Sequence, residues 1–160
     1  MNQPRPTQDP FKHGDPSTFT ATDHRGNRFE FTGRVIGAGS TQRDGHSHVQ
    51  HPNREFAAQR QSCSACRWFE AYIYIVTRPP EHYPESGRYL VVTVGGTIVP
   101  GEVDFHRANF TDSGFEVVEL LTIRKSGAEP YLATSAARAL AQAAAVDDDV
   151  REAFINRATV

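Results

Sequence analysis

Three histidines and both cysteines of this 160-residue chain fall in one window, "HSHVQHPNREFAAQRQSCSAC", which begins at His46 and ends at Cys66. Structural zinc takes four tetrahedral ligands, usually thiolate and imidazole, and Cys-x-x-Cys is the commonest half of such a set. Cys63 and Cys66 have that spacing, and two of His46, His48 and His51 would complete the set. Reach separates the histidines. If residues 52–61 are helical, His51 is carried about 15 Å from Cys63 along the helix axis. His46 and His48 are then better placed, because the extended stretch from His46 to His51 spans about 16 Å, enough to run back beside the helix. Without the helix, His51 returns to contention. The competing reading packs Cys63 and Cys66 as two small core residues beside a strand and leaves the histidines solvated in a loop.

Two other chemistries of a cysteine pair fit less well. A redox Cys-x-x-Cys opens a helix, whose N-terminus lowers the thiol pKa, whereas a strand pattern follows this pair. The zinc deaminase pattern needs His-x-Glu and then Pro-Cys-x-x-Cys. Here Glu55 lies four residues beyond His51, and Ser62 precedes Cys63. A third enzymatic pattern is closer in letters. "HSHVQH" resembles the His-x-His-x-Asp-His motif of the metallo-β-lactamase superfamily, and the resemblance implies a hydrolase with His46, His48 and His51 as metal ligands. Gln50 stands where that family places a metal-binding Asp, and the chain is short for that family's fold. A nucleic-acid reading would use Arg54, Arg60 and Arg67 around the cysteines, but Glu55 and Glu70 are interleaved with them. "VIGAGS" lacks the spacing of a nucleotide loop and reads as a strand end with a turn. His82 and His106 stand alone as solvated or locally hydrogen-bonded imidazoles.

The elements that must position the window follow from periodicity. Residues 1–16 carry four prolines and no pattern, and read as a flexible N-terminal tail. Residues 17–160 read as a single domain holding a candidate zinc loop at 40–66. "STFTATD" and "RFEFTGRVIGAG" alternate about the turn "HRGN", a hairpin. "RWFEAYIYIVT" is the strongest strand, with both faces covered in part, and "RYLVVTV" is another, interrupted at Gly95–Gly96 with "TIV" resuming beyond. "FEVVELLTIR" reads as a further strand. "PYLATSAARALAQAAAV" starts a helix at Pro130, with Leu132, Ala136, Ala139, Leu140 and Ala143 on one stripe. "DDDVREAFINRA" makes a second, with Asp149 and Glu152 as a capping box and Val150, Phe154 and Ile155 as its apolar side. Strands first and helices last give an α+β fold: a mainly antiparallel sheet of about five strands with a C-terminal pair of helices packed on one face.

Composition excludes several function classes. A net charge of −2 gives the whole molecule no electrostatic reason to seek nucleic acid or anionic membrane. No apolar run approaches the length of a membrane span, and the polar start is unlike a signal peptide, so the expected location is the cytoplasm, bacterial or of a phage's host. The two cysteines, three apart, suit a reducing compartment. Lys12 and Lys125 are the sole lysines in a chain rich in Arg and Ala, a codon-bias signature of a high-GC genome. The block "CSACRWFEAYIYIV" with the terminal "ARALAQAAAVDDDVREAFINRA" resembles small uncharacterised proteins of actinobacteria and their phages. The resemblance implies a phage or prophage accessory protein that binds a host protein. The expected function is therefore a non-enzymatic, zinc-stabilised binding or regulatory protein. The zinc hydrolase and the nucleic-acid module stand as alternatives.

Overall fold

Alternating apolar residues and tight turns build the sheet, and the computed structural model describes it within residues 16–42 and 66–157. The tail expected at 1–16, apart from its last residue, and the helix expected at 52–61 lie outside the described residues. Five strands form one antiparallel sheet in sequence order: β1 (Ser17–Thr22), β2 (Arg28–Ser40), β3 (Arg67–Arg78), β4 (Tyr89–Thr97) and β5 (Phe105–Thr111). Two register shifts in β2, at Thr32/Gly33 and Val35/Gly37, bend it. The sheet curls until β1 and β5 approach one another. Inside the curl, Phe19, Phe29, Phe31, Tyr74, Leu90, Val92 and Ala108 form an aromatic-rich core, with Tyr83 and Phe110 packed against it.

The outer face of the sheet carries the helices. These are α1 (Gly114–Leu121), α2 (Thr134–Val146) and α3 (Asp148–Arg157), with a two-residue hairpin, β6 (Thr122–Ile123) and β7 (Tyr131–Leu132), between the first two. Ile36, Ala71, Ile73, Tyr89 and Val91 of the sheet meet Val117, Ala136, Ala139, Leu140, Ala143 and Val150 of the helices in a second core. β3 serves both cores by alternation, Tyr74 to the inside and Ile73 to the outside, so both its faces are covered as its pattern implied. The α+β fold, the antiparallel sheet and the C-terminal helical pair are as the sequence predicts. Among the described residues no helix is long and apolar enough to cross a membrane.

Four local expectations are corrected. "FEVVELL" is helix α1 and not a strand: Ser113 caps it by accepting the Glu116 N–H, and Val117, Val118 and Leu121 bury one helical face. β4 runs unbroken through Gly95–Gly96 to Thr97. α2 begins at Thr134, because Tyr131 and Leu132 are taken by the small hairpin. The cap of α3 is Asp147, whose carboxylate accepts the Val150 N–H, whereas Asp149 accepts the Gly114 N–H of α1 and Ile155 stays exposed.

The turn between β1 and β2 is tied by a buried carboxylate. Asp23 accepts hydrogen bonds from the N–H groups of Arg25 and Asn27, from the Asn27 side chain and from the Tyr83 hydroxyl. Burial pushes the Asp23 carboxyl up, but these donors together outweigh it and hold the carboxyl below its ordinary value of 3.8. A depressed carboxyl stabilises the fold above its unfolded-state pKa, and that contribution is lost as pH falls through the folded value. The expected result is an acid melting profile in which Asp23→Asn flattens the loss of stability seen below about pH 4. A mutant profile parallel to the parent's would contradict it. Burial, then the bond to Asp23, pushes the Tyr83 phenol up to about 12, so its neutral form helps the fold until pH rises through that value.

Candidate metal and binding site

The window opened by His46 and closed by Cys66 is the connection between two neighbouring strands, and its ends are fastened together. Ser40 faces Glu70 across the β2–β3 ladder. One residue further out, the Thr41 N–H donates to the Phe69 carbonyl at 3.0 Å, and the Phe69 N–H donates to Thr41 Oγ1 at 2.9 Å. Both legs of the connection therefore leave from the same end of the sheet. Cys66 is fully buried there, and its carbonyl accepts the Ile98 N–H at 3.0 Å. His46, His48, His51 and Cys63 lie outside the described residues, as do Arg54 and Arg60. Among the described residues, no group of three or more His, Cys, Asp or Glu side chains assembles that could hold a metal.

Arg67 is engaged elsewhere. Its guanidinium makes a two-pronged contact with Glu102, 2.9 Å from Nε to Oε1 and 2.5 Å from the second nitrogen to Oε2, and Thr97 Oγ1 donates to the same carboxylate. The bonds from Arg67 and then Thr97 hold the Glu102 carboxyl below its usual range. This clamp ties the start of β3 to the β4–β5 connection. Glu70 is likewise occupied. Its carboxylate accepts the Trp68 Nε1–H at 3.0 Å and the Tyr72 hydroxyl, all three from the inner face of β3. His106 shares a cross-strand row with Val94 and Glu70 on that same face. His82 sits in the Pro-rich connection with φ of 59°, a left-handed turn position.

Sequence reasoning missed a groove on the outer face. About 610 Å³ in volume, it lies between the ends of β3, β4 and β5 and the α1–β6 segment, and it is lined by Phe69, Gly95, Phe105, Arg107 and Leu120 among others. Phe69 is 61% exposed and Phe105 53%, large values for two aromatic side chains that share one face of a sheet. The signal that finds them is the period of two in "RWFEAY": Trp68 and Glu70 take the inner face, so Phe69 must take the outer one. A larger groove of about 840 Å³ runs between α1 and α3. Of its charges, Arg124 is paired with Glu119, and Asp149 is tied to Gly114 and Arg88. The chain matches no protein-family model, no curated protein and no solved structure.

Proposed function

We propose that this chain is a non-enzymatic binding or regulatory protein, in which zinc held by Cys63 and Cys66 with two of His46, His48 and His51 fastens the β2–β3 connection to the end of the sheet. The observation that carries this reading is the pairing of Thr41 with Phe69, which starts both legs of the connection from one place. His46 lies five residues beyond Thr41 and Cys63 three before Cys66, spans of at most about 18 Å and 11 Å, so imidazole and thiolate are within reach of a common centre. Two thiolates with two imidazoles are a zinc donor set, and a site filled by four protein ligands is structural.

Among the described residues, Asp23, Glu70, Glu102 and Asp147 each accept hydrogen bonds from protein donors and are engaged in holding the fold. The groove between Phe69 and Phe105 offers an apolar surface at the sheet end from which the β2–β3 connection leaves, suited to a protein partner. The partner that this reading expects is a host protein.

Binding energy at a structural zinc site is folding energy. Replacement of Cys63 by serine is therefore expected to lose the metal and lower the melting temperature together. A variant that melts with the parent and carries the same metal content would overturn the proposal.

A further inference from the structure

We infer that Phe69, Gly95 and Phe105 form a slot for one aromatic side chain of an acidic protein segment, with Arg107 receiving a neighbouring carboxylate. The inference rests on the reading of the domain as a protein-binding module. The three residues occupy one cross-strand row, Phe69 opposite Gly95 and Gly95 opposite Phe105, so all three face the outer surface. Neighbouring strands lie about 4.8 Å apart, which places the two phenylalanines about 9.6 Å apart at the backbone, with no side chain between them. A planar group seated over Gly95 would have a ring on either side at about 4.8 Å, inside the separation that aromatic pairs favour.

The adjacent glycine shows what a filled position looks like. On the inner face, a Cβ added to Gly96 would lie 2.1 Å from the Trp68 ring, because the indole already covers that site. Among the described residues, a Cβ added to Gly95 would meet the Phe105 Cβ at 3.7 Å, which is ordinary contact, and nothing nearer. Two consecutive glycines thus lie under aromatic neighbours on opposite faces, one covered from within the chain and one open.

Charge selects the occupant. Around the slot, Arg124 is paired with Glu119, Arg67 with Glu102, and Glu70 is taken by Trp68 and Tyr72. Arg107 has no carboxylate partner among the described residues, and its guanidinium lies 5.6 Å from the centre of the Phe105 ring. One open cation beside an aromatic slot suits a carboxylate near an aromatic residue. A nucleic acid needs several cations along its backbone, and among the described residues around the slot Arg124 and Arg67 are already paired with carboxylates.

The test selects short random peptides on the full chain and measures the enriched ones against the parent, Gly95→Val, Gly96→Val and Arg107→Glu, with a single-stranded oligonucleotide as a further probe. Gly95→Val fills the slot at a strand position that accepts a side chain, so it is expected to melt no lower than the parent. Gly96→Val, by contrast, is expected to melt lower, because the indole must leave. The enriched peptides are expected to carry an aromatic residue beside Asp or Glu, and to bind Gly95→Val and Arg107→Glu about tenfold more weakly or worse. Peptides that bind Gly95→Val as tightly as the parent would overturn the slot and leave the binding reading standing. Oligonucleotide binding that Gly95→Val removes would assign the aromatic pair to bases and overturn the inference. Failure to enrich any peptide would overturn both.

Discussion

Replacing Gly37 by valine is expected to destabilise the domain by about 3 kcal/mol or more, the upper end of what overpacking costs. A Cβ at Gly37 would lie 2.1 Å from the Ala139 carbonyl oxygen, and one at Gly39 would lie 2.1 Å from that of Ser135. Both obstacles are helix backbone, which cannot rotate out of the way as a side chain can. The absence of a side chain at these two positions lets α2 lie against β2, where the Gln142 side chain accepts the Ala38 N–H at 2.8 Å and Arg138 donates to the Ser40 carbonyl. Pushing the helix outward would break those ties and open the core formed by Ile36, Ala139 and Leu140. For a chain of this length the loss corresponds to about 10 °C in melting temperature. Gly95→Val is the matched control, the same substitution in the same sheet where space is open. Equal melting of the two variants would mean that the helix does not sit on β2 as described.

Asp147→Ala is expected to cost about 3 kcal/mol, and Asp147→Asn much less. Asp147 is 5% exposed, and its Oδ1 accepts both the Tyr89 hydroxyl at 2.9 Å and the Val150 N–H at 2.9 Å. The second bond caps α3, a contribution of about 1 kcal/mol. The first satisfies a phenol at the centre of the outer core, where an unpartnered hydroxyl costs about 1–3 kcal/mol. Burial, and then the bond to Asp147, pushes the Tyr89 phenol well above its ordinary pKa, which keeps it a donor throughout the physiological range. Arg88 reaches the same carboxylate at 3.7 Å but is 55% exposed, so its pairing adds at most about 1 kcal/mol. Asparagine keeps an oxygen for both donors and gives up the charge and the second acceptor, which faces Arg88. Denaturant melts of the two variants decide the matter. Asn as damaging as Ala would show that charge, and not the shared acceptor, holds the junction.

The elements that the sequence made legible are those whose side chains alternate against a filled core. Phe29 and Phe31, or Tyr72 and Tyr74, repeat on one face at the strand period, and the Ala136–Ala143 stripe repeats at the helical one. β5 is not legible in the sequence, because "FHRANFT" fully buries only Ala108 and Thr111, so it lacks an apolar stripe and owes its place to pairing with β4. α1 has the letters of a strand, because Val117 and Val118 favour sheets by type, and tertiary burial overrides that preference. The capping signal was present in "SGFE", where Ser113 precedes Glu116 by three residues. Gly95–Gly96 looked like an interruption, since sequence alone does not reveal that Trp68 covers one of the two glycines. Of the candidate metal ligands, the fold locates Cys66 and the strand ends that anchor the others. The exposed pair Phe69 and Phe105 was hidden for a different reason: exposure of an aromatic residue depends on what the helices leave uncovered.

The central claim is that thiolates and imidazoles from the two legs of one connection share a metal. X-ray absorption at the zinc edge, with metal content measured on full-length protein purified without chelator, tests it most directly. The account predicts one zinc per chain, with two sulfur ligands at about 2.3 Å and two nitrogen ligands at about 2.0 Å. Zinc far below one per chain, or a first shell without sulfur, would contradict it.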